Sequence, residues 1–219
     1  MESLRLTGRE TVFGKHLAER LERVGIITDN VDGLHIVCSS NENTIECDIL
    51  IRPSQSKPPT TQVGCEIVIH DMYIPSGSYD WGPNEIEKHL EWLVNSSGEP
   101  PYGQPRHWVH VRDVVDMFVL LLDKPPLGRI DVCGRRCWDH GTMSSELGML
   151  YSRFKAAENN NIQLENVKIF EPNVKSTVTQ ERPDLNPIHS ALQEVGAAGW
   201  HPLVPFRLGL MECMAYYLG

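Results

Sequence analysis

Long apolar runs are missing from this sequence. The longest unbroken one, Met117–Leu122, has six residues, whereas a membrane-spanning helix needs roughly 20, so no membrane partner is expected. An excess of basic residues is missing too. Twenty Lys and Arg face 29 Asp and Glu, a formal charge of −9. A surface of that sign repels phosphate backbones, so no nucleic-acid partner is expected. The six cysteines form no CxxC pair and read as reduced thiols rather than a disulfide framework. Their one cluster with a histidine, Cys133, Cys137 and His140, supplies three ligands at most. A structural zinc site takes four, so no metal is expected and the stretch reads as a strand end with its turn. The opening Met1-Glu2-Ser3 carries no basic segment followed by an apolar one, which makes a cytoplasmic location the expectation. There is no internal repeat and no long block of one charge.

What is present is an alternation of short strands and helices. Residues 3–7 alternate as a short strand that stops at Gly8. From Gly14 the spacing of Leu17, Leu21 and Val24, with Ala18 beside them, predicts a helix with one buried face, closed by Gly25. Leu34–Val37, Ile49–Ile51 and Ile67–Ile69 are apolar runs suited to buried strands. The intervening Pro/Ser/Thr-rich stretch 52–62 suits neither a helix nor a central strand, and residues 73–83 read as a loop. Glu85–Asn95 is helical by spacing. Asp113 is a candidate N-cap for a helix Val114–Leu122 that ends before Pro125 and Pro126. Further helices are expected at Ser144–Ala157 and Pro205–Leu218, the latter with Met211, Met214, Ala215 and Leu218 on one face. This order predicts an α/β sandwich around a mostly parallel sheet, and the 219 residues suffice to bury a core.

The segment Leu4–Gly14 carries the first chemistry. A strand runs through a glycine turn into a helix, and a helix N-terminus offers free N–H groups and a positive dipole end to a pyrophosphate. Gly8 and Gly14 stand in place, with Thr11 at the middle position. Two glycines at a strand–helix turn also serve close packing alone.

Several motifs, in order, resemble the extended short-chain dehydrogenase/reductase family, the NAD-dependent sugar-nucleotide epimerases and dehydratases. LRLTGRETVFGKHLAERLERVG is similar to its strand, TGGxGFIG turn and helix. Asp48–Ile51 resembles its DVVIHLAA strand, and Glu66–Pro75 its LRPFNVYGP strand and loop, with Asp71 where the family carries Asn. Arg106–Asp116 is similar to RDFIHVDDVVD. Gly128–Val132 and Thr142–Leu147 echo GxxYNVG…T…EL, and Glu181–Asp184 with Glu194–Pro202 echoes ERPGD…ELGWxP. The resemblance implies a Rossmann-like, mostly parallel sheet with helices on both faces and a small C-terminal substrate-binding lobe. Residues 1–70 would form a shortened nucleotide-binding part and 71–219 the remainder, as one integrated domain. It implies NAD or NADP at Thr7, Gly8, Arg9, Phe13 and Gly14, and a sugar nucleotide at Asp71, Tyr73, Arg106, His110 and Arg182. Arg106 and Arg182 match the arginines that clasp the diphosphate, a task suited to a planar, always-charged fork.

The departures are equally specific. The family's Ser/Thr strand and Tyr-x-x-x-Lys helix have no room between Ile51 and Gly64. Cys38-Ser39-Ser40 stands where an acidic residue would hold the adenosine ribose. With Thr11 at the middle glycine, NAD(P) binding is therefore expected to be weak or lost. Tyr151 and Lys155 fit Tyr-x-x-x-Lys literally, but late in the chain. Three readings stay open: a binder of a nucleotide or sugar nucleotide without the redox step; an enzyme whose acid/base comes from Tyr73, Tyr79 or the Tyr151/Lys155 pair; and a scaffold that keeps only the fold.

Overall fold

The computed structural model describes residues 3–30, 32–41, 45–95, 99, 101–158 and 180–219. Along the chain the elements are β1 (Leu4–Thr7), α1 (Val12–Arg23), β2 (Leu34–Cys38), β3 (Cys47–Pro53), β4 (Val63–Ile69), β5 (Met72–Tyr73), a 3-10 turn (Tyr79–Trp81), α2 (Glu85–Asn95), β6 (Val109–His110), α3 (Val111–Leu121), β7 (Gly128–Val132), α4 (His140–Glu158), α5 (Asn186–Glu194) and α6 (Phe206–Leu218). Five strands form one sheet in the order β1-β2-β3-β4-β7, and every pairing in it is parallel. β5 and β6 form a separate parallel pair. The expected α/β, Rossmann-like architecture thus forms, opening on a β1-α1-β2 unit.

Strand alternation divides the sheet into two unlike faces. Leu4, Ile36, Cys38, Ile49, Ile51, Cys65, Ile67, Ile69, Ile130 and Val132 share a core with α1, α3 and α5. Within it Phe13, Leu17 and Leu21 of α1 are fully buried, each contributing about 1.5–3 kcal/mol. The alternate positions carry Arg5, Thr7, His35, Asp48, Arg52, Glu66, Arg129 and Asp131 around buried Val37, Leu50 and Val68. There Arg52 Nε donates to Glu66 at 2.6 Å and Arg129 pairs with Asp131 at 2.8 Å. The helices α2, α4 and α6 gather instead against the β5–β6 end, in a second core around Tyr73, Trp108, Leu147 and Leu210.

Four local expectations are corrected. β3 runs on through Arg52 and Pro53, which pair with Val68 and Ile69, so only the remainder of 52–62 is loop. Residues 73–83 hold the end of β5 and a 3-10 turn. The cap of α3 is His110, whose Nδ1 accepts from the Arg112 N–H at 3.0 Å. Asp113 instead lies in the first turn and accepts from the Leu203 and Val204 N–H groups at 2.7 and 3.2 Å. On α6 the buried face is Phe206, Gly209, Leu210, Cys213 and Met214, with Met211 half exposed. That helix is apolar on most sides, so spacing alone does not choose its inner face.

Candidate functional site

The glycine turn after β1 is built for close packing. Gly8 takes φ +84°, and a Cβ there would overlap the Cys38 carbonyl oxygen. A Cβ on Gly14 would overlap the Gly8 carbonyl oxygen and lie 2.8 Å from Thr11 Oγ1. Thr11 caps the helix: the Gly14 N–H donates to Oγ1 at 3.0 Å, and Oγ1–H donates to the Gly8 carbonyl at 2.7 Å. Arg9 is drawn to Glu22, to Thr28 Oγ1 at 3.3 Å and to Asp29 at 3.7 Å. Phe13 is fully buried and stacks on Trp81, with centroids 4.8 Å apart. The Thr7 hydroxyl meets His35 Nε2 at 2.9 Å.

A doubly wound sheet binds a dinucleotide where its strand order reverses. Here the chain runs from β1 through α1 to Ile27–Asn30 on one side of β1 and then crosses to β2 on the other, so the order reverses at β1. Its outer edge is taken up by the chain's own Ile27–Asn30, through Leu4 N–H to Ile27 O at 2.8 Å and Leu6 N–H to Thr28 O at 3.0 Å. The switch point therefore lies at β1, beside the glycine turn, where the turn's polar groups are engaged within the protein. One N-terminal amide of α1 is capped, and the nearby arginine faces carboxylates.

Beyond the carboxyl end of β4, Asp71 adopts φ +49°, a left-handed conformation that Asp tolerates better than most residues. Its Oδ2 accepts from the His107 N–H at 2.8 Å and its Oδ1 from Arg106 Nη1 at 3.2 Å. Arg106 also donates through Nε and Nη2 to Glu85 Oε1, at 3.0 and 2.5 Å. Burial opposes its charge, but the Glu85 and Asp71 contacts outweigh that and hold the guanidinium above its ordinary pKa. Arg106 is thus clamped between two carboxylates.

The segment carrying Arg182 comes alongside. The His107 Nε2 donates to the Gln180 carbonyl at 3.2 Å, the Gly134 N–H to the His107 carbonyl at 2.8 Å, and Arg182 Nη1 to the Arg135 carbonyl at 3.3 Å. Arg182, Arg135 and Arg136 are all exposed, and the Arg136 guanidinium lies 4.4 Å over the Trp138 ring. Among the described residues no carboxylate pairs with these three, whereas Arg9, Arg20, Arg23, Arg52, Arg106, Arg112, Arg129 and Arg207 each have one. Arg135 and Arg136 were not singled out as ligands by sequence. Their adjacency inside the Cys133–His140 stretch was the available signal.

The remaining candidates are dispersed. Tyr73 is buried against Trp108, His110 and Phe206, and its hydroxyl has no hydrogen-bond partner among the described residues. Burial, then the neighbouring Cys213, Asp113 and Glu212, push its pKa far up, so it stands as a neutral phenol. His110 is buried and its pKa is pushed down to about 3, by burial first and then by Arg112 and His16. Tyr79 opens the 3-10 turn at φ +48° and is 70% exposed. Tyr151 and Lys155 lie on α4, with Lys155 Nζ 5.8 Å from the ring centroid and 2.8 Å from Glu158. Tyr151 packs against the second core. Among the described residues no group of three His, Cys, Asp or Glu side chains is placed to hold a metal, and no helix is long and apolar enough to cross a membrane. Glu85, which fixes Arg106, carried no sequence signal beyond its place in the first turn of α2.

No protein-family model matches this sequence, and no curated protein matches it. Solved structures do match. A dTDP-glucose 4,6-dehydratase from Bacillus anthracis in complex with NAD is 11% identical, with a TM-score of 0.58 over 99% of this chain and 96% of that one. A UDP-glucose 4-epimerase from Thermotoga maritima with UDP-glucose is 12% identical, with a TM-score of 0.59 over 98% of both chains. An enzyme of Bordetella bronchiseptica in complex with NAD+ and UDP is 9% identical, with a TM-score of 0.56 over 98% of this chain and 92% of that one. The polypeptide is therefore folded as the NAD-dependent sugar-nucleotide dehydratases and epimerases are.

Proposed function

We propose that this chain is a member of the sugar-nucleotide epimerase/dehydratase family that binds a nucleotide or sugar nucleotide without the family's redox step. The observation that carries the reading is the basic cluster at the carboxyl end of β7. On a chain of net charge −9, Arg182 donates to the Arg135 carbonyl, Arg136 lies over the Trp138 ring, and the three exposed arginines have no carboxylate partner among the described residues. Ligands of open α/β sheets bind beyond the carboxyl ends of the strands, and a diphosphate is the group that planar guanidinium forks recognise best. Arg106 takes a supporting role, because its donors face Glu85 and Asp71. By holding Asp71 and the start of 106–110 it sets the wall beside the cluster.

The turn geometry supports weak or absent NAD(P) binding. Thr11 caps the Gly14 amide and Arg9 faces Glu22, so a pyrophosphate there would have to displace bonds already made. Tyr73, a neutral buried phenol, is a poor proton acceptor, and Lys155 is turned toward Glu158. Titration calorimetry with UDP-glucose, UDP, NAD+ and NADP+ tests the reading. UDP-glucose should bind, with Arg182→Ala weakening it about tenfold and Arg182→Lys restoring part of the loss. Micromolar NAD+ binding, or conversion of a sugar nucleotide on adding NAD(P), would refute it.

A further inference from the structure

Between α1, α3 and α6 lies a cavity of about 620 Å³, within the range of small-ligand pockets. It shares no lining residue with the Arg182 segment. Val111 and Val115 of α3 and Pro75 give it an apolar side. Its polar side includes His110, which is 98% buried by its 2% exposure.

The state of His110 is fixed by its cap. Nδ1 accepts from the Arg112 N–H, so the ring proton sits on Nε2. That Nε2–H is buried and has no hydrogen-bond partner among the described residues. Glu212 Oε2 lies 3.2 Å away but off the hydrogen-bond direction, with its other oxygen drawn to Arg112. Buried donors without acceptors are uncommon in native proteins and call for an explanation. The charges around the ring point to one. Burial first, and then Arg112 and His16, oppose protonation of His110, which keeps the ring a neutral donor. The three carboxylates that line the cavity are each turned to an arginine, Asp116 to Arg20 at 2.6 Å, Glu212 to Arg112 and Glu19 to Arg23 at 4.0 Å. Arg20 bonds through Nε, and among the described residues no acceptor engages its two terminal amino groups.

We infer that this cavity binds a small molecule bearing an oxyanion, phosphate or carboxylate, which accepts from His110 Nε2–H and is countered by Arg20 and Arg112 while its apolar part lies on Pro75 and Val115. A neutral imidazole donor with two flanking guanidiniums suits an acceptor that is already charged, since charge-assisted hydrogen bonds are the stronger kind. This site is independent of the proposed nucleotide site and stands or falls separately.

The test follows histidine side-chain nitrogen and proton resonances while inorganic phosphate, and separately succinate, is added at constant ionic strength. The His110 Nε2–H signal should shift saturably with at least one of them, whichever it is naming the oxyanion class, while His189 and His201 stay put. His110→Asn keeps an oxygen to cap α3 but removes the ring Nε2–H, and Arg20→Gln removes the counter-charge at a partly exposed position. Each should weaken binding about tenfold, the worth of one charge-assisted contact. Arg182→Ala should leave it unchanged. No saturable shift of His110 with either anion, an equal shift in sodium chloride alone, or wild-type affinity in Arg20→Gln would overturn the proposal.

Discussion

Replacing Gly14 by Ala separates a glycine kept for folding from one kept for a ligand. By helix propensity alone the change should help, since Ala exceeds Gly by about 1 kcal/mol inside a helix. The local geometry opposes this. The added methyl would overlap the Gly8 carbonyl oxygen and lie 2.8 Å from both the Gly8 carbonyl carbon and Thr11 Oγ1. Two of these three atoms are backbone of a turn that is itself pressed on Cys38, so the turn has little room to give. Overpacking of this kind costs about 1–3 kcal/mol. Splaying the turn also weakens the Thr11 cap, worth about 1 kcal/mol. The net expectation is a loss of about 1–3 kcal/mol, or about 2–12 °C in Tm for a chain of this size. Thermal unfolding by circular dichroism, without any nucleotide present, reads it directly. A Gly14→Ala protein as stable as the parent, or more so, would refute the packing role and return this glycine to ligand binding.

Further outcomes follow from the charged groups. Arg106→Leu should destabilise by about 2–3 kcal/mol in urea unfolding, because it leaves the buried Asp71 and half-buried Glu85 carboxylates without their cation; a loss below about 0.5 kcal/mol, typical of a surface pair, would show that the clamp is not structural. His89 and His110, with pKa values pushed down to about 4 and about 3 chiefly by burial, stay neutral when folded but charge when unfolded. Stability should therefore be full above about pH 6.5 and fall as pH drops toward 4, by about 2–4 kcal/mol between pH 7.5 and 5; a flat urea midpoint over that range would contradict the burial of these rings. Trp200→Phe removes the indole N–H that donates to the Cys133 carbonyl at 2.8 Å and should cost about 1–2 kcal/mol, and an unchanged midpoint would argue against that contact.

The strands and α2 were legible because their signals are local. Ile49–Ile51 and Ile67–Ile69 are apolar runs that only a buried strand accommodates, and α2 occupies the bounds its spacing gave. What escaped was decided at a distance. Asp113 looks like a cap by residue type, yet its carboxylate is drawn to amides about 90 residues away, and His110 takes the cap. α5 was not foreseen as a helix: it is short, with Pro187 near its start, and it gains its place by burying Ile188 and Leu192 against the sheet core. Arg106 matched a ligand motif, but Glu85 and Asp71, 21 and 35 residues away, determine what it does. The reversal of strand order at β1, which bears most on cofactor binding, depends on pairings that no single segment encodes.

The central claim is that this fold has kept a sugar-nucleotide site and given up its nicotinamide chemistry. Titration calorimetry of the purified chain with UDP-glucose and with NAD+, in parallel and at matched salt, tests it most directly. Saturable heat with UDP-glucose that falls about tenfold in Arg182→Ala, beside little or none with NAD+, is the expected result. Micromolar NAD+ binding, or UDP-glucose heat that Arg182→Ala leaves unchanged, would contradict it.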